Sequence, residues 1–202
     1  ACFAELGHHV YARDIVAEKV AALGRGEVPM QEPGLPELLA RNAERLHFTT
    51  EMGEVLDNAR LLFVCVDTPP TYSGDADLSR VEAVVAELGD SEDHAIVMKS
   101  TVPVGTGRAI QRRRERLGYV SNPEFLREGY AVKDTITPDR IVLGVQDGGR
   151  AEEVAREIYA QPLAADTPLI VTDLQTAELV KVAANAFLAT KISFINAVSE
   201  IC

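Results

Sequence analysis

Residues 59–66 read Ala-Arg-Leu-Leu-Phe-Val-Cys-Val, and the run stops on Asp67-Thr68-Pro69-Pro70. An apolar stretch of this kind, without alternation, is the pattern of a strand buried on both faces of a parallel sheet. Ala95–Lys99 (AIVMK) repeats it and ends on the turn Ser100-Thr101-Val102-Pro103-Val104-Gly105. Further short strands are expected at His9–Ala12, Leu46–Thr49, Tyr119–Ser121, Ile141–Val145 and Pro168–Val171. Helical patterns lie between them: Ala1–Leu6 closed by Gly7, Val16–Leu23, Met52–Asn58, Leu78–Leu88 with Asp77 or Ser79 as cap, Ala109–Leu117 and Ala151–Ala160. The Pro/Gly-punctuated run GEVPMQEPGLPELLARN is a loop that leads into one more short helix.

Strand and helix thus alternate with short connections, which predicts an α/β fold: a doubly wound, mostly parallel, Rossmann-like sheet with helices on both faces. Ligands bind such sheets beyond the carboxyl ends of the strands. Asp14, Asp67-Thr68-Pro69, Ser100-Thr101 and Asn122–Gly129 (NPEFLREG) all fall at such ends and are expected to converge on one crevice. Asp14 follows helix, tight turn and strand, where an acid can accept hydrogen bonds from adenosine ribose hydroxyls and favours NAD over its 2′-phosphorylated form. A solvated turn aspartate fits the same local pattern equally well.

The longest helical pattern is Thr176–Cys202. Leu179, Val182, Ala186, Phe187, Ile192, Ile195, Val198 and Ile201 recur at helical steps, which predicts one buried face. Lys181 and Asn185 stand four residues apart on one side, so an ammonium and an amide can point at one place. The expected division is a dinucleotide-binding domain over residues 1–172 and a long connecting helix over 173–202 that opens a central, dimerising domain. The apolar Ile192–Ile201 stretch is more than one side of this domain can cover, which suggests a homodimer.

The 20 basic and 31 acidic residues give a net charge of −11, which argues against nucleic acid or an anionic membrane as partner. A phosphate ligand is still allowed, because backbone amides and a few placed cations can hold one. Cys2, Cys65 and Cys202 have no metal-ligand or CxxC spacing, so no metal is expected and a reducing, cytoplasmic setting is. There is no uninterrupted run of about 18 uncharged apolar residues, and ACFAELGHHV has neither a basic region nor a cleavage pattern. Arg112, Arg113, Arg114 and Arg116 read as a solvated face. The apolar, mid-helix start at Ala1 suggests that the chain begins inside a domain.

The motifs EPGLPELL, CVDTPP, GDADLS, KSTVPVGT, SNPEFLREG, PDRIVLG and AELVKVAANAFLATKISFIN, in this order, resemble the nucleotide-sugar 6-dehydrogenases. That family includes UDP-glucose, GDP-mannose and UDP-N-acetylmannosamine dehydrogenases, and FLATKISFIN is most similar to the UDP-glucose members. The resemblance covers nearly the whole chain. It implies an NAD-dependent oxidation of a sugar C6 alcohol to a carboxylate, through a thiohemiacetal and a thioester, with two NAD reduced per sugar.

By the same resemblance, Asp14 and Lys19 hold the adenosine ribose, and Val66, Asp67, Thr68, Pro69 and Pro70 lie along the cofactor. Ser100, Thr101 and Val102 line the nicotinamide side, Glu128 contacts the cofactor, and Glu124 assists thioester hydrolysis through water that Thr101 helps to order. Lys181 and Asn185 bind the reacting oxygen, and the segment Glu124, Phe125, Leu126, Arg127 and Glu128 faces the nucleotide sugar. Packing under the loop remains the alternative for Phe125 and Leu126. The first strand with its Gly-rich turn is expected before Ala1, and the nucleophilic cysteine beyond Cys202. Cys202 itself reads as a small buried hydrophobe. Asp67 stands where a small or neutral residue is expected, and the segment from Gly107 to Ser121 looks short. A non-catalytic nucleotide-binding module and a 2-hydroxy-acid dehydrogenase are the competing readings.

Overall fold

The computed structural model describes residues 1–202 except Pro29, Ser91 and Asp147, with Gly148 and Ala151 described by their backbone alone. Pro29, in the expected loop before the short helix, therefore lies outside the described residues. The chain runs α1 (Cys2–Glu5), β1 (Val10–Arg13), α2 (Ala17–Gly24), α3 (Leu35–Arg41), β2 (Leu46–Thr49), α4 (Met52–Asn58) and β3 (Leu61–Val64). It continues α5 (Ser79–Glu87), β4 (Ala95–Met98), α6 (Thr106–Arg113), β5 (Gly118–Ser121), α7 (Ala131–Ile136) and β6 (Ile141–Gly144). The last elements are α8 (Gly148–Ile158), α9 (Ala160–Ala164), β7 (Leu169–Thr172) and α10 (Leu174–Ile201). The expected mixed α/β alternation is present.

Among the described residues the strands form two sheets, a parallel pair β1–β2 and a five-stranded sheet in the order β3-β4-β5-β6-β7. Within the larger sheet only β5–β6 is antiparallel. The sheets are mostly parallel, as expected, and among the described residues no ladder joins β1 to β3.

All four residues of β4 are buried, and they face opposite ways in alternation. Ile96 and Met98 pack with Val81 and Val85 of α5 and Ile110 of α6. Val97 packs on the other side with Val120, Leu143 and Val154, and Phe3 of α1 closes that side against Phe63 at 4.7 Å between ring centroids. Helices on both faces explain why these strands read as continuous apolar runs.

Three expectations need correction. The basic helix is Thr106–Arg113 rather than Ala109–Leu117, because Gly105 at φ 99° starts it early and the N–H groups of Arg116 and Leu117 turn to Asp90 Oδ1. Its charge run is only partly a solvated face: Arg113 pairs with Glu82 and Arg116 with Glu92, but Arg114 Nε is buried without a hydrogen-bond partner. The expected single helix Ala151–Ala160 is two, α8 and α9.

The third correction concerns α10. Asp173 caps it by accepting from Thr176 N at 2.9 Å, and Leu174, Ala177, Glu178 and Lys181 are its buried residues. The face predicted to be buried is open: Leu179 is 53%, Phe187 67%, Ile192 52% and Ile201 85% exposed. The helical period is real, but the rest of this chain covers only the first two turns. Cys202 follows the helix and is exposed, not a buried hydrophobe. By length and composition alone, α10 could cross a membrane.

Candidate active site

The turns after β3 and β4 are tied to one another. Ser100 Oγ donates to Val66 O at 2.6 Å, and Thr68 Oγ1 donates to Thr101 O at 2.8 Å. These hydroxyls hold two strand ends in the register that the sheet sets, and they bring Val66, Thr68, Ser100 and Thr101 together. Val102 is 4% exposed and belongs to the core, as does much of Val66, so little beyond their backbone is left for a ligand. Asp67 is exposed and pairs outward with Arg80; Pro69 is half-buried.

Asp14 follows β1. Its Oδ1 accepts from Val16 N at 3.0 Å, and Oδ2 pairs with Lys19. Lys19's hydrogen bond, with help from Val16 N–H, holds the carboxyl below its usual range against the effect of burial. Asp14 is thus a turn-forming aspartate and an available acceptor at once. An anionic acceptor suits ribose hydroxyls and disfavours a 2′-phosphate, so the donor and acceptor set at these strand ends fits NAD.

The second cluster gathers around the loop after β5. Asn122, 2% exposed, donates through Nδ2 to Val142 O at 2.9 Å. Its Oδ1 accepts from Tyr159 Oη at 2.5 Å and from Lys99 Nζ at 3.4 Å. This bolts the loop to β6 and to the end of α8. Beyond Pro123, Glu124 Oε2 accepts from Leu126 N at 2.6 Å and Oε1 from Lys181 Nζ at 2.9 Å. Burial raises the Glu124 pKa, but the Lys181 bond, the Leu126 N–H and the charges of Lys181 and Lys99 outweigh it and leave the carboxyl below its usual range. Lys181 is 7% exposed and the Glu124 side chain 31%, so the ion pair is enclosed on the ammonium side and open to the loop surface on the carboxylate side.

Phe125 lies between two cations, with Lys181 Nζ 5.5 Å and the Arg140 guanidinium 4.2 Å from its ring centroid. It is half-buried, while Leu126 is 43% exposed. Arg127 pairs with Asp134 at 2.7 Å and lies over Tyr130. A cavity of about 290 Å³ opens here, lined by Lys99, Asn122, Glu124, Phe125, Arg140 and Tyr159 among others. Glu128 and Asn185 are exposed and make no hydrogen bond or ion pair among the described residues. Among those residues no group of three or more His, Cys, Asp or Glu is placed to hold a metal ion.

Sequence reasoning missed Lys99, Arg140 and Glu178. Desolvation pushes the Lys99 pKa down to about 8, with Cys65 and Glu124 opposing the fall and Lys181 adding to it. A lysine closing a buried apolar strand was the available signal. Arg140 gave none locally, since its place over Phe125 is tertiary. Glu178 stood out as an acid among buried helical positions.

Residues 1–163 match the NAD-binding domain of the UDP-glucose/GDP-mannose dehydrogenase family, and residues 175–202 match its central domain. A UDP-glucose 6-dehydrogenase of Bacillus subtilis is 42% identical over the whole chain, which spans 45% of that protein. One from Rhizobium meliloti is 44% identical, again over the whole chain and 49% of the relative. The chain therefore spans about half the length of the relatives that it matches. Among solved structures, a UDP-glucose dehydrogenase from Pyrobaculum islandicum superposes at a TM-score of 0.84 with 39% identity, over 98% of this chain and 48% of that one. A GDP-mannose dehydrogenase from Pseudomonas aeruginosa gives 0.81 with 31% identity, over 96% and 48%. With the motif order, the fold and the strand-end cluster in agreement, the chain belongs to the UDP-glucose/GDP-mannose dehydrogenase family, and its first 163 residues are that family's NAD-binding domain.

Proposed function

We propose that the protein containing these residues oxidises the C6 alcohol of UDP-glucose to the carboxylate of UDP-glucuronate, with two NAD reduced per sugar. The reaction passes through a thiohemiacetal and a thioester on a cysteine thiol outside residues 1–202. The observation that carries this reading is the Lys181–Glu124 pair: two residues 57 positions apart meet at 2.9 Å beside the strand-end turns. The 42–44% identity to UDP-glucose 6-dehydrogenases supports the choice of sugar.

NAD, when bound, supplies the hydride acceptor. Asp14 and Lys19 hold its ribose, while Val66 to Pro69, Ser100, Thr101, Val102 and Glu128 border it. Lys181 and Asn185 hold the C6 oxygen, where charge grows as hydride leaves and as the thiol adds; an ammonium and an amide N–H stabilise that charge. The backbone of Glu124–Glu128 faces the nucleotide sugar.

Without a sugar, Lys181 neutralises Glu124 and keeps it a weak base. An oxygen that draws Lys181 away removes the largest of the interactions holding the Glu124 pKa down. Burial then raises that pKa, so the carboxylate can take a proton from a water ordered with Thr101. One pair thereby serves oxidation first and hydrolysis second.

The exposed half of α10 is read as a face against a second copy, the division at 172/173 as the boundary between cofactor and central domains, and the setting as cytoplasmic, with neither nucleic acid nor membrane as partner. The test is to assay the whole protein with NAD and UDP-glucose, GDP-mannose or UDP-N-acetylmannosamine. Two NADH per UDP-glucose is expected. Preference for another sugar overturns the substrate, and NAD binding without turnover on any of them makes the chain a nucleotide-binding module.

A further inference from the structure

Glu178 is 2% exposed, stands three residues before Lys181, and forms no ion pair among the described residues. Its two oxygens instead accept backbone N–H groups at the start of α6, Oε2 from Gly105 at 2.6 Å and Oε1 from Gly107 at 2.8 Å. Burial raises its pKa in spite of these two bonds, and Asp173 adds to the rise. A buried carboxylate without a cation is costly, and an apolar side chain of similar volume would commonly serve stability as well. The surroundings are nonetheless shaped around it. Gly105 adopts φ 99°, and a Cβ on Gly107 would lie 2.6 Å from the Tyr119 ring and 3.2 Å from Glu178 Oε1. Tyr119 Oη is buried beside it without a hydrogen-bond partner.

The turn that Glu178 grips is the continuation of Ser100-Thr101-Val102-Pro103, and the helix that it grips from carries Lys181. Thr101 and Lys181 belong to different elements: Lys181 meets Glu124 directly, and Thr101 is the residue to which the proposed reaction gives the ordering of the water. Two short hydrogen bonds to one carboxylate fix both the sliding and the rotation of α10 against that turn. The packing of Ala177 on Gly144 already limits motion of the helix, and the two directional bonds add a restraint against rotation about its axis, a rotation that would swing Lys181 Nζ.

We propose that Glu178 is a positioning residue: clasping the amides of Gly105 and Gly107, it holds Thr101 and Lys181 at a fixed separation around Glu124. The proposal rests on the catalytic reading of Lys181 given above. Glu178→Gln keeps the volume but can accept only one of the two N–H groups and turns an amide N–H toward the other. A displacement of about 1 Å at a reacting group costs up to roughly 100-fold in rate.

In the whole protein, Glu178→Gln is expected to lower kcat by about 10- to 100-fold with KM for NAD changed by less than about 2-fold. Asp173→Ala, which removes the cap of the same helix while leaving both clasp hydrogen bonds in place, is the control and should keep kcat at a comparable loss of Tm. With 15N-glycine labelling, the Gly105 and Gly107 amide protons should move upfield in Glu178→Gln while the other glycines stay. If that variant does not accumulate folded, Glu178→Asp retains the charge with a shorter reach and should lose kcat to a smaller degree. A kcat no lower than that of Asp173→Ala, or unmoved Gly105 and Gly107 resonances, overturns the proposal alone. A wild-type protein silent with every nucleotide sugar overturns the reading of the site and this proposal with it.

Discussion

The two ends of α10 are built on opposite terms. From Leu174 to Lys181 the helix is sunk into the fold: Ala177 is fully buried, and a Cβ on Gly144 of β6 would lie 2.4 Å from the Ala177 Cβ. The buried positions there include a carboxylate and an ammonium, each with a designated partner. From Phe187 to Ile201 the helix is more apolar and yet open, with Phe187, Leu188, Phe194 and Ile195 all more than half exposed. Burial on this helix therefore follows what the described residues bring against it rather than hydropathy: Glu178 and Lys181 are enclosed by α6, the Glu124 loop and the sheet, and the apolar second half is not covered by residues 1–202.

The sharpest way to break this contrast is at the buried end. Lys181→Ala in the whole protein should cut turnover by about 1000-fold, roughly 4 kcal/mol of transition-state stabilisation, while the protein still folds. Unchanged turnover would remove the buried end's claim to chemistry. At the open end, Phe194→Asp should weaken self-association by about 100-fold or more, as read by sedimentation, because a charge placed in an apolar contact finds no partner there. Unaltered association would mean that the open face is not the seam.

Two smaller effects refine the contrast. Gly144→Ala should cost about 1–3 kcal/mol in denaturant unfolding, because the added methyl meets Ala177 Cβ at 2.4 Å and Asp173 O at 2.9 Å. A neutral result would mean that α10 can lift off β6. The two carboxylates should also titrate with opposite sign. The Glu124 pKa lies below the ordinary 4.5, so its stabilisation is present above that pH and is lost as pH falls through the native value. The Glu178 pKa lies above 4.5, so the native state binds its proton more tightly than the unfolded chain, and stability falls as pH rises from 4.5 to the native value. Glu124→Gln should flatten the loss on the acid side of 4.5 and Glu178→Gln the loss above it, neither by more than about 1 kcal/mol. Matching slopes in both variants would deny the difference between the two sites.

Much of this was legible residue by residue. Leu46–Thr49 and Met52–Asn58 are the observed elements to the residue, because an apolar run or a helical period with a clear stop needs no distant information. Glu124, named by the family resemblance, and Lys181, marked by its helical spacing, do meet. Asn185, marked by the same spacing, and Glu128, named by the resemblance, face solvent without hydrogen bonds or ion pairs among the described residues. The difference lies in what is across from them, and spacing along one element does not report that.

The sequence by itself determined the alternating α/β order, the polar turns at the strand ends and the helical period of α10, since each depends on residues within one or two turns of chain. Only the tertiary structure decided that Lys99 and Arg140 close on the Glu124 loop, and that Leu174, Ala177, Glu178 and Lys181 are the buried residues of a 28-residue helix. Local pattern sets what an element can bury, but what it does bury depends on the surfaces that the rest of the fold brings against it.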